Sequence, residues 1–295
     1  VQRHVAVIDV GETPFFIPKR APFVVPAILL CALLLLSACV TSARRPSPVP
    51  ATGHPAPTSW WHPTPGLTWQ WQLTGEIDVD VRTDVIDVDL YVDQSVLDDF
   101  HSRGTRVICY VSVGSFEDWR PDKDAFPQEV LGKEYEGWSG ERWLDIRRIE
   151  RLAPIMRARL DVCAAKGFDA VEPDNIAVYE EDTGFPISFE ENVRYARWLA
   201  EEAHARGLAI GLKNGPGMVP ELADTFDFAI TEEAFAHGFA RAFLPFLRAG
   251  KAVFDAEYTD TEVDWERACT MSEAWGFSTI LKRRSLDTWV RFCEA

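Results

Sequence analysis

The sequence predicts an α/β fold: a single-domain (β/α)8 barrel of the TIM type, irregular between its first two strands. Three observations predict it. Short apolar runs recur eight times beyond residue 67, helical periodicity fills most of the intervals, and several runs end in carboxylates. Alternating strands and helices imply a parallel sheet under helical cover, and eight strands in roughly 230 residues favour a closed barrel over an open sheet.

Two segments of different character precede the barrel. Lys19 and Arg20 lead into "FVVPAILLCALLLL", an apolar run shorter than the ~20 residues of a spanning helix but suited to the core of a secretory signal. Leu36-Ser37-Ala38-Cys39 then places small residues before a cysteine, the pattern of a bacterial lipobox. Residues 1–38 are therefore expected to be a lipoprotein signal peptide, with Cys39 lipidated. Residues 1–18 are long for the charged start of such a signal, so translation is expected to begin after Val1. Residues 39–66, rich in Pro, Ser, Thr and Ala, read as an extended tether. The barrel is expected over 67–295, exported and held on the outer leaflet or cell surface through the lipid on Cys39.

Within the barrel region the strand runs are "TWQWQL" (68–73), "VIDVDLYV" (85–92), "RVICYVSV" (106–113), "FDAVEP" (168–173), "LAIGL" (208–212), "FDFAIT" (226–231), "AVFDAEY" (252–258) and "FSTILK" (277–282). Residues 74–84 are too few for a full helix, hence the expected irregularity. "SVLDDFHSRG" ends in a glycine stop, "RRIERLAPIMRARLDVCAAKG" spaces its apolar residues by three and four, and Ser188 followed by Glu191 is a capping box.

In such barrels the chemistry sits at the C-terminal strand ends. Here those ends collect acid: Asp93, Glu172 and Asp174, Glu232 and Glu233, and Asp255 and Glu257, with Lys213 and Asn214 among them. Two carboxylates facing each other across a cleft suit glycoside hydrolysis, one protonating the leaving oxygen and the other stabilising the oxocarbenium-like state. Asp174 and Glu232 lie on different strand ends and are the candidate pair. The competing reading makes each carboxylate a helix cap or an ion-pair partner. Trp69, Trp71, Trp119 and Tyr110 are candidates to stack on sugar rings, and Lys213 to hold a neighbouring carboxylate ionised.

Composition narrows the partners. Net charge is −16 overall and −19 over residues 46–295, which disfavours nucleic acid and favours cations. There is no CxxC, no HxH, no GxSxG and no phosphate-cradling glycine loop, so neither a metal nor any other cofactor is expected. Export permits disulfides. Of Cys109, Cys163, Cys269 and Cys293, the last two flank the final strand on predicted helices, and a bridge between them is expected.

From "TWQWQLTGEIDVD" through "VICYVSVGSFEDWRPD", "GWSGERWLDIR", "GFDAVEPDN" and "GLKNG" to "ITEEAF" and "VFDAEYT", the chain resembles glycoside hydrolase family 114 over essentially all of 67–295. The resemblance implies a (β/α)8 barrel acting as an endo-α-1,4-polygalactosaminidase on a cationic amino-sugar polysaccharide. It implies a catalytic pair at Asp174, as nucleophile or base, and Glu232, as general acid, with Glu233 adjacent. Tyr110, Trp71, Trp119, Glu172, Asn175, Lys213, Asn214, Glu233, Glu257 and Tyr258 are the expected substrate-binding residues, and the protein is expected to be a monomer. Members often read DNxDGY where this chain has "DNIAVY", which puts Ala177 in place of an Asp. They often carry two cysteines where Ala234 and Ala240 stand, as if a local disulfide were lost as a unit. The alternative of another class is a non-catalytic carbohydrate-binding lipoprotein on the same barrel, which Ala177 favours.

Overall fold

A computed structural model of the chain describes residues 59–294. Cys39, the leader and most of the tether lie outside the described residues. Eight parallel strands form the barrel wall: β1 (Trp69–Gln72), β2 (Val85–Asp89), β3 (Arg106–Ser112), β7 (Ala170–Asp174), β8 (Ala209–Lys213), β9 (Phe228–Glu232), β10 (Val253–Tyr258) and β11 (Ser278–Lys282), hydrogen-bonded in that order. Each coincides with one of the eight predicted runs. Alternate residues of the strands point inward, where Trp69, Val85, Ile108, Phe228, Phe254 and Ile280 fill the interior as one buried cluster.

No ladder joins β1 to β11. Side chains and loops close that seam instead: the Trp69 indole donates to the Ser278 carbonyl at 2.7 Å, Lys282 Nζ to Gln70 Oε1 at 2.9 Å, and the Leu73 N–H to the Leu286 carbonyl at 2.9 Å. A short strand, β12 (Val290–Phe292), adds antiparallel to β11. As expected, no helix separates β1 from β2.

Helices α1 (Gln94–Ser102), α2 (Ile149–Lys166), α3 (Phe189–His204), α4 (Val219–Leu222), α5 (Leu244–Arg248) and α6 (Trp265–Trp275) cover the strands, and a larger buried cluster lies between the two layers. Helix α2 ends at Gly167 in the left-handed conformation, φ 87°. Ser188 accepts from the Glu191 N–H while the Glu191 carboxylate accepts from the Ser188 N–H, so the capping box is formed.

Three expectations change. Residues 114–142, where the sequence predicts no strand, carry most of a three-stranded antiparallel sheet of β4 (Ser115–Glu117), β5 (Leu131–Glu134) and β6 (Glu141–Leu144). The folded unit begins before Leu67. Trp60 stacks on His204 at 4.0 Å and donates to Asp227, and the Pro63 carbonyl accepts from the Ala252 N–H, so residues 59–66 pack on the barrel rather than serving as tether. Cys269 on α6 is bonded to Cys293, which follows β12 rather than lying on a helix.

A second bridge joins Cys109 to Cys163, tying the outward face of β3 to α2. Loop-closure entropy assigns about 4 kcal/mol to this 54-residue span and about 3.5 kcal/mol to the 24-residue span of the other bridge. Replacing Cys109 and Cys163 together by Ala should lower Tm by roughly 10 °C in thermal denaturation. An unchanged Tm, in that variant and on adding reductant to the wild type, would show that the bridge contributes nothing.

Candidate active site

One backbone device is used three times at the mouth of the barrel. Asn175, Asn214 and Glu233 follow the last residues of β7, β8 and β9, and each has positive φ, at 58°, 50° and 57°. The left-handed turn ends each strand sharply while its last side chain still points inward, which aims Asp174, Lys213 and Glu232 into one space. Asparagine tolerates this conformation; glutamate occupies it at a cost of order 1 kcal/mol. Glycine is required at Gly114, where a Cβ would meet the Asn175 carbonyl oxygen at 1.7 Å.

Pro173 shapes the same region. The β3–β7 ladder runs to Ser112 and Asp174, but the β7–β8 register ends at Val171 and Ile210. A proline offers no N–H to continue a ladder. The two strands are therefore unpaired beside Asp174 and Lys213.

Lys213 organises the site. It is buried, and its Nζ lies 2.7 Å from Glu172 Oε1, 2.9 Å from Asp174 Oδ1 and 3.2 Å from Glu232 Oε2. It also sits over the Trp71 ring at 4.4 Å. Burial alone would lower the lysine pKa, but Asp174, Glu172 and Glu232 outweigh it and raise it well above the usual value. Burial likewise disfavours ionised Asp174, yet the Lys213 charge and hydrogen bonds from Lys213 and Tyr110 hold its carboxyl below the usual carboxylate range. Tyr110 donates to Asp174 Oδ2 at 2.9 Å. Glu232 accepts from the Tyr258 hydroxyl at 2.5 Å and from Asn214 Nδ2 at 3.1 Å.

A second layer lies beneath. Asp87 on β2 is wholly buried and abuts Glu172. As carboxylates, Asp87 Oδ1 and Oδ2 and Glu172 Oε2 have no donor. A proton on Asp87 supplies one, because burial and then the Glu172 charge push the Asp87 pKa well up. Glu172 is itself raised to about 7, mainly by burial.

These groups lie at the floor of a cavity of about 550 Å³. Glu141, Asp174, Glu180, Glu181, Glu232 and Glu233 line it against Lys213 and Arg284, so the cleft is acidic. Tyr110, Asn175, Asn214 and Tyr258 line it as expected. Other expected residues take different places. Glu172 is below the floor. Trp71 reaches the cavity but is 1% exposed, a ring beneath Lys213 rather than a sugar platform. Trp119 is exposed away from the cleft. Asp93 precedes α1 off the rim. Glu257 faces outward, since its neighbour Tyr258 takes the inward parity, and it accepts from the Phe235 N–H at 2.7 Å. Glu233 borders the cleft, but Thr261 and Arg284 occupy its carboxylate and, against some burial, hold its pKa low. Trp138, Tyr135, Glu141 and Arg284 also line the cavity and were missed. Only "GWSG", a tryptophan flanked by turn glycines, offered a signal.

The departures noted in the sequence have simple places. Ala177 is half-buried on the cleft wall. Ala234 and Ala240 are buried together, with the Ala240 N–H donating to the Ala234 carbonyl at 3.0 Å. Among the described residues no group of His, Cys, Asp or Glu is arranged to hold a metal ion.

The role of Lys213 is testable through pH. A depressed Asp174 pKa contributes stability and ionisation above the unfolded-state pKa, both lost as pH falls through the folded value. Lys213→Met should move the acid limb of kcat/KM upward by roughly 1–3 pH units and cost about 3–5 kcal/mol at neutral pH, because it strands buried carboxylates. An unmoved acid limb in a folded variant would remove Lys213 from control of Asp174.

Comparison with known proteins bears on what such a site is. The sequence model of glycoside-hydrolase family GH114 matches residues 50–295. The structure is similar to that of Aspergillus fumigatus Ega3, solved in complex with galactosamine, at 34% identity and a TM-score of 0.75, covering 81% of this chain and 100% of that one. It shares a fold with the glycoside hydrolase domain of PelA from Pseudomonas aeruginosa, at 15% identity and a TM-score of 0.61, over 77% and 99% of the two chains. A protein of Deinococcus radiodurans is 26% identical over 310 aligned residues, 88% of this chain and 97% of that protein. The family match takes in every strand of the barrel and the whole of the acidic cleft, and the chain belongs to glycoside-hydrolase family GH114.

Proposed function

We propose that this protein is an endo-acting hydrolase of galactosamine-containing polysaccharide, cutting α-1,4 linkages with retention of configuration. Asp174 is the nucleophile and Glu232 the general acid, then base. The observation that carries this reading is the shared contact with Lys213: one ammonium lies within 3.2 Å of an oxygen of each carboxylate. The shared ammonium draws the two carboxyls together, which supports the closer spacing of retaining enzymes, about 5–5.5 Å, over the roughly 6.5–9.5 Å that inverting ones leave for a water.

The roles follow from the surroundings. Asp174, kept ionised by Lys213 and Tyr110, is suited to attack the anomeric carbon. Glu232 stands across the cleft, where it protonates the glycosidic oxygen and later takes a proton from water. The substrate class is supported by the acidic cleft lining, by the negative charge of the barrel region and by the likeness to Ega3, whose structure holds galactosamine. A cationic polymer meets a field that attracts it. Export and anchoring through a lipid on Cys39 belong to the same reading, supported by the apolar run 23–36 and the "LSAC" that ends it.

On α-1,4-linked galactosamine oligomers, Asp174→Asn should abolish product, and Glu232→Gln should lower kcat by about 10²–10⁴-fold. NMR of the first-formed reducing end should show the α anomer. A β anomer would overturn retention. Undiminished cleavage by Asp174→Asn would overturn the assignment. Binding without product in the wild type would establish the non-catalytic reading that Ala177 favours. Cys39→Ser should release the protein from the membrane fraction; continued fractionation with membranes would refute the lipid anchor.

A further inference from the structure

The hairpin between β5 and β6 carries groups that a two-carboxylate reaction does not use. Three backbone hydrogen bonds fix it: Tyr135 N–H to the Glu141 carbonyl at 3.0 Å, Trp138 N–H to Tyr135 at 3.0 Å, and Glu141 N–H to Trp138 at 3.1 Å. Gly137 and Gly140, with φ of 89° and 91°, allow the chain to reverse this tightly. The turn sets Tyr135, Trp138 and Glu141 on one wall of the cleft, and Tyr135 is backed by Trp143 at 4.0 Å.

Two of these side chains are unusual for a structural hairpin. Trp138 is 52% exposed although it borders a cavity, so about half of the residue is uncovered. Glu141 is the opposite, only 8% exposed while lining that cavity. Its Oε2 accepts from Ser115 Oγ at 2.6 Å, and its Oε1 has no donor among the described residues. Ser115 is held in turn by Ser112 and Asn175, which ties Glu141 to the turn after Asp174.

Burial raises the Glu141 pKa to about 7, with the charges of Glu117 and Asp174 adding to it and Ser115 and Arg120 opposing it. A nearly dry carboxylate with one open acceptor, among other carboxylates, is relieved by an incoming cation. A hydroxyl or an amide fills the acceptor but leaves the charge. The ligand that satisfies both residues has a flat apolar face for Trp138 and an ammonium for Glu141.

We propose that Tyr135, Trp138 and Glu141 form an amino-sugar subsite beside the cleavage point, a hexosamine ring lying on Trp138 with its 2-ammonium donating to Glu141. This subsite deepens the galactosamine reading and rests on it. It makes the free amine, rather than the sugar ring alone, the feature that the cleft selects.

The test compares α-1,4-galactosamine oligomers with their N-acetylated counterparts, using the full-length chain and its Glu141→Gln and Trp138→Ala variants. Hydrogen bonds to charged groups imply that Glu141→Gln raises KM for the amine oligomers about 10–100-fold, with KM for the acetylated oligomers unchanged. Trp138→Ala should raise KM for both. Glutamine keeps the acceptor for Ser115, and Trp138 is exposed, so at least one variant tests the wall in a folded protein. Equal losses on both oligomers in Glu141→Gln, or no change with either variant, would overturn the subsite. Calorimetry in the Asp174→Asn background separates this proposal from the catalytic one. Amine-selective, Glu141-dependent binding by a protein whose wild type yields no product would sustain the subsite and sink the hydrolase. Cleavage with a KM indifferent to Glu141 would do the reverse.

Discussion

Lys213 carries a full charge into the buried floor of the cleft, and only its three carboxylate neighbours make that tolerable. Removing an ammonium from water costs several kcal/mol after relaxation, and it is repaid only by close, well-oriented counter-charges. The distances of 2.7, 2.9 and 3.2 Å to Glu172, Asp174 and Glu232 meet that condition. The constraint also runs the other way. Three carboxylates converging on one point would repel each other without the lysine, and burial and the Glu172 charge push the Asp87 carboxyl beneath them well up, toward its neutral form. The floor of the barrel is thus a stack in which Lys213, Asp174, Glu172 and Asp87 each bear on the ionisation of a neighbour.

The stack exists because strand parity and strand endings coincide. Glu172 and Asp174 share the inward face of β7, Lys213 ends β8 on its inward face, and Glu232 ends β9 likewise. The left-handed turns after the three strands hold these ends in place without long side-chain detours. Pro173 frees β7 from β8 where Lys213 must enter between them. Backbone and charge therefore specify the same geometry twice, which suits a site whose groups must stay within a fraction of an ångström of their working positions.

The eight strands, the missing first helix and the capping box at Ser188 were all legible, because each has a local signature of periodicity or cap chemistry. So was the convergence of Asp174, Lys213 and Glu232, since strand-end position alone carries it. What failed required knowing which side of a strand faces in. Asp255 and Glu257 share a parity, but nothing local says that the parity is outward. Tyr258 decides it by filling the interior. Trp119 and Trp138 lie in the same inserted segment, and only the pairing of β5 with β6 shows which one reaches the cleft. The Cys109–Cys163 bridge was illegible for a related reason, as it joins a strand to a helix 54 residues away. Trp60 looked like tether because proline-rich surroundings conceal a single anchoring side chain.

Ala177 bears on what the cleft prefers more than on whether it cuts. The turn that carries it is held by Asn192, whose Oδ1 accepts from the Tyr179 N–H at 2.9 Å and whose Nδ2 donates to the Ile176 carbonyl at 2.6 Å. Neither bond involves the residue 177 side chain. Asp174 lies on the strand before this turn, and its contacts come from Lys213 and Tyr110. An alanine here leaves the proposed catalytic pair and its support intact and removes one negative charge from the wall. That wall keeps Glu180 and Glu181, and the hairpin packed beside it, with the Lys133 N–H donating to the Thr183 carbonyl at 2.9 Å, supplies Glu141. The recognition of a cationic sugar proposed above therefore does not require an aspartate at this position. It rests on the remaining carboxylates, of which Glu141 is the most desolvated and so the least screened.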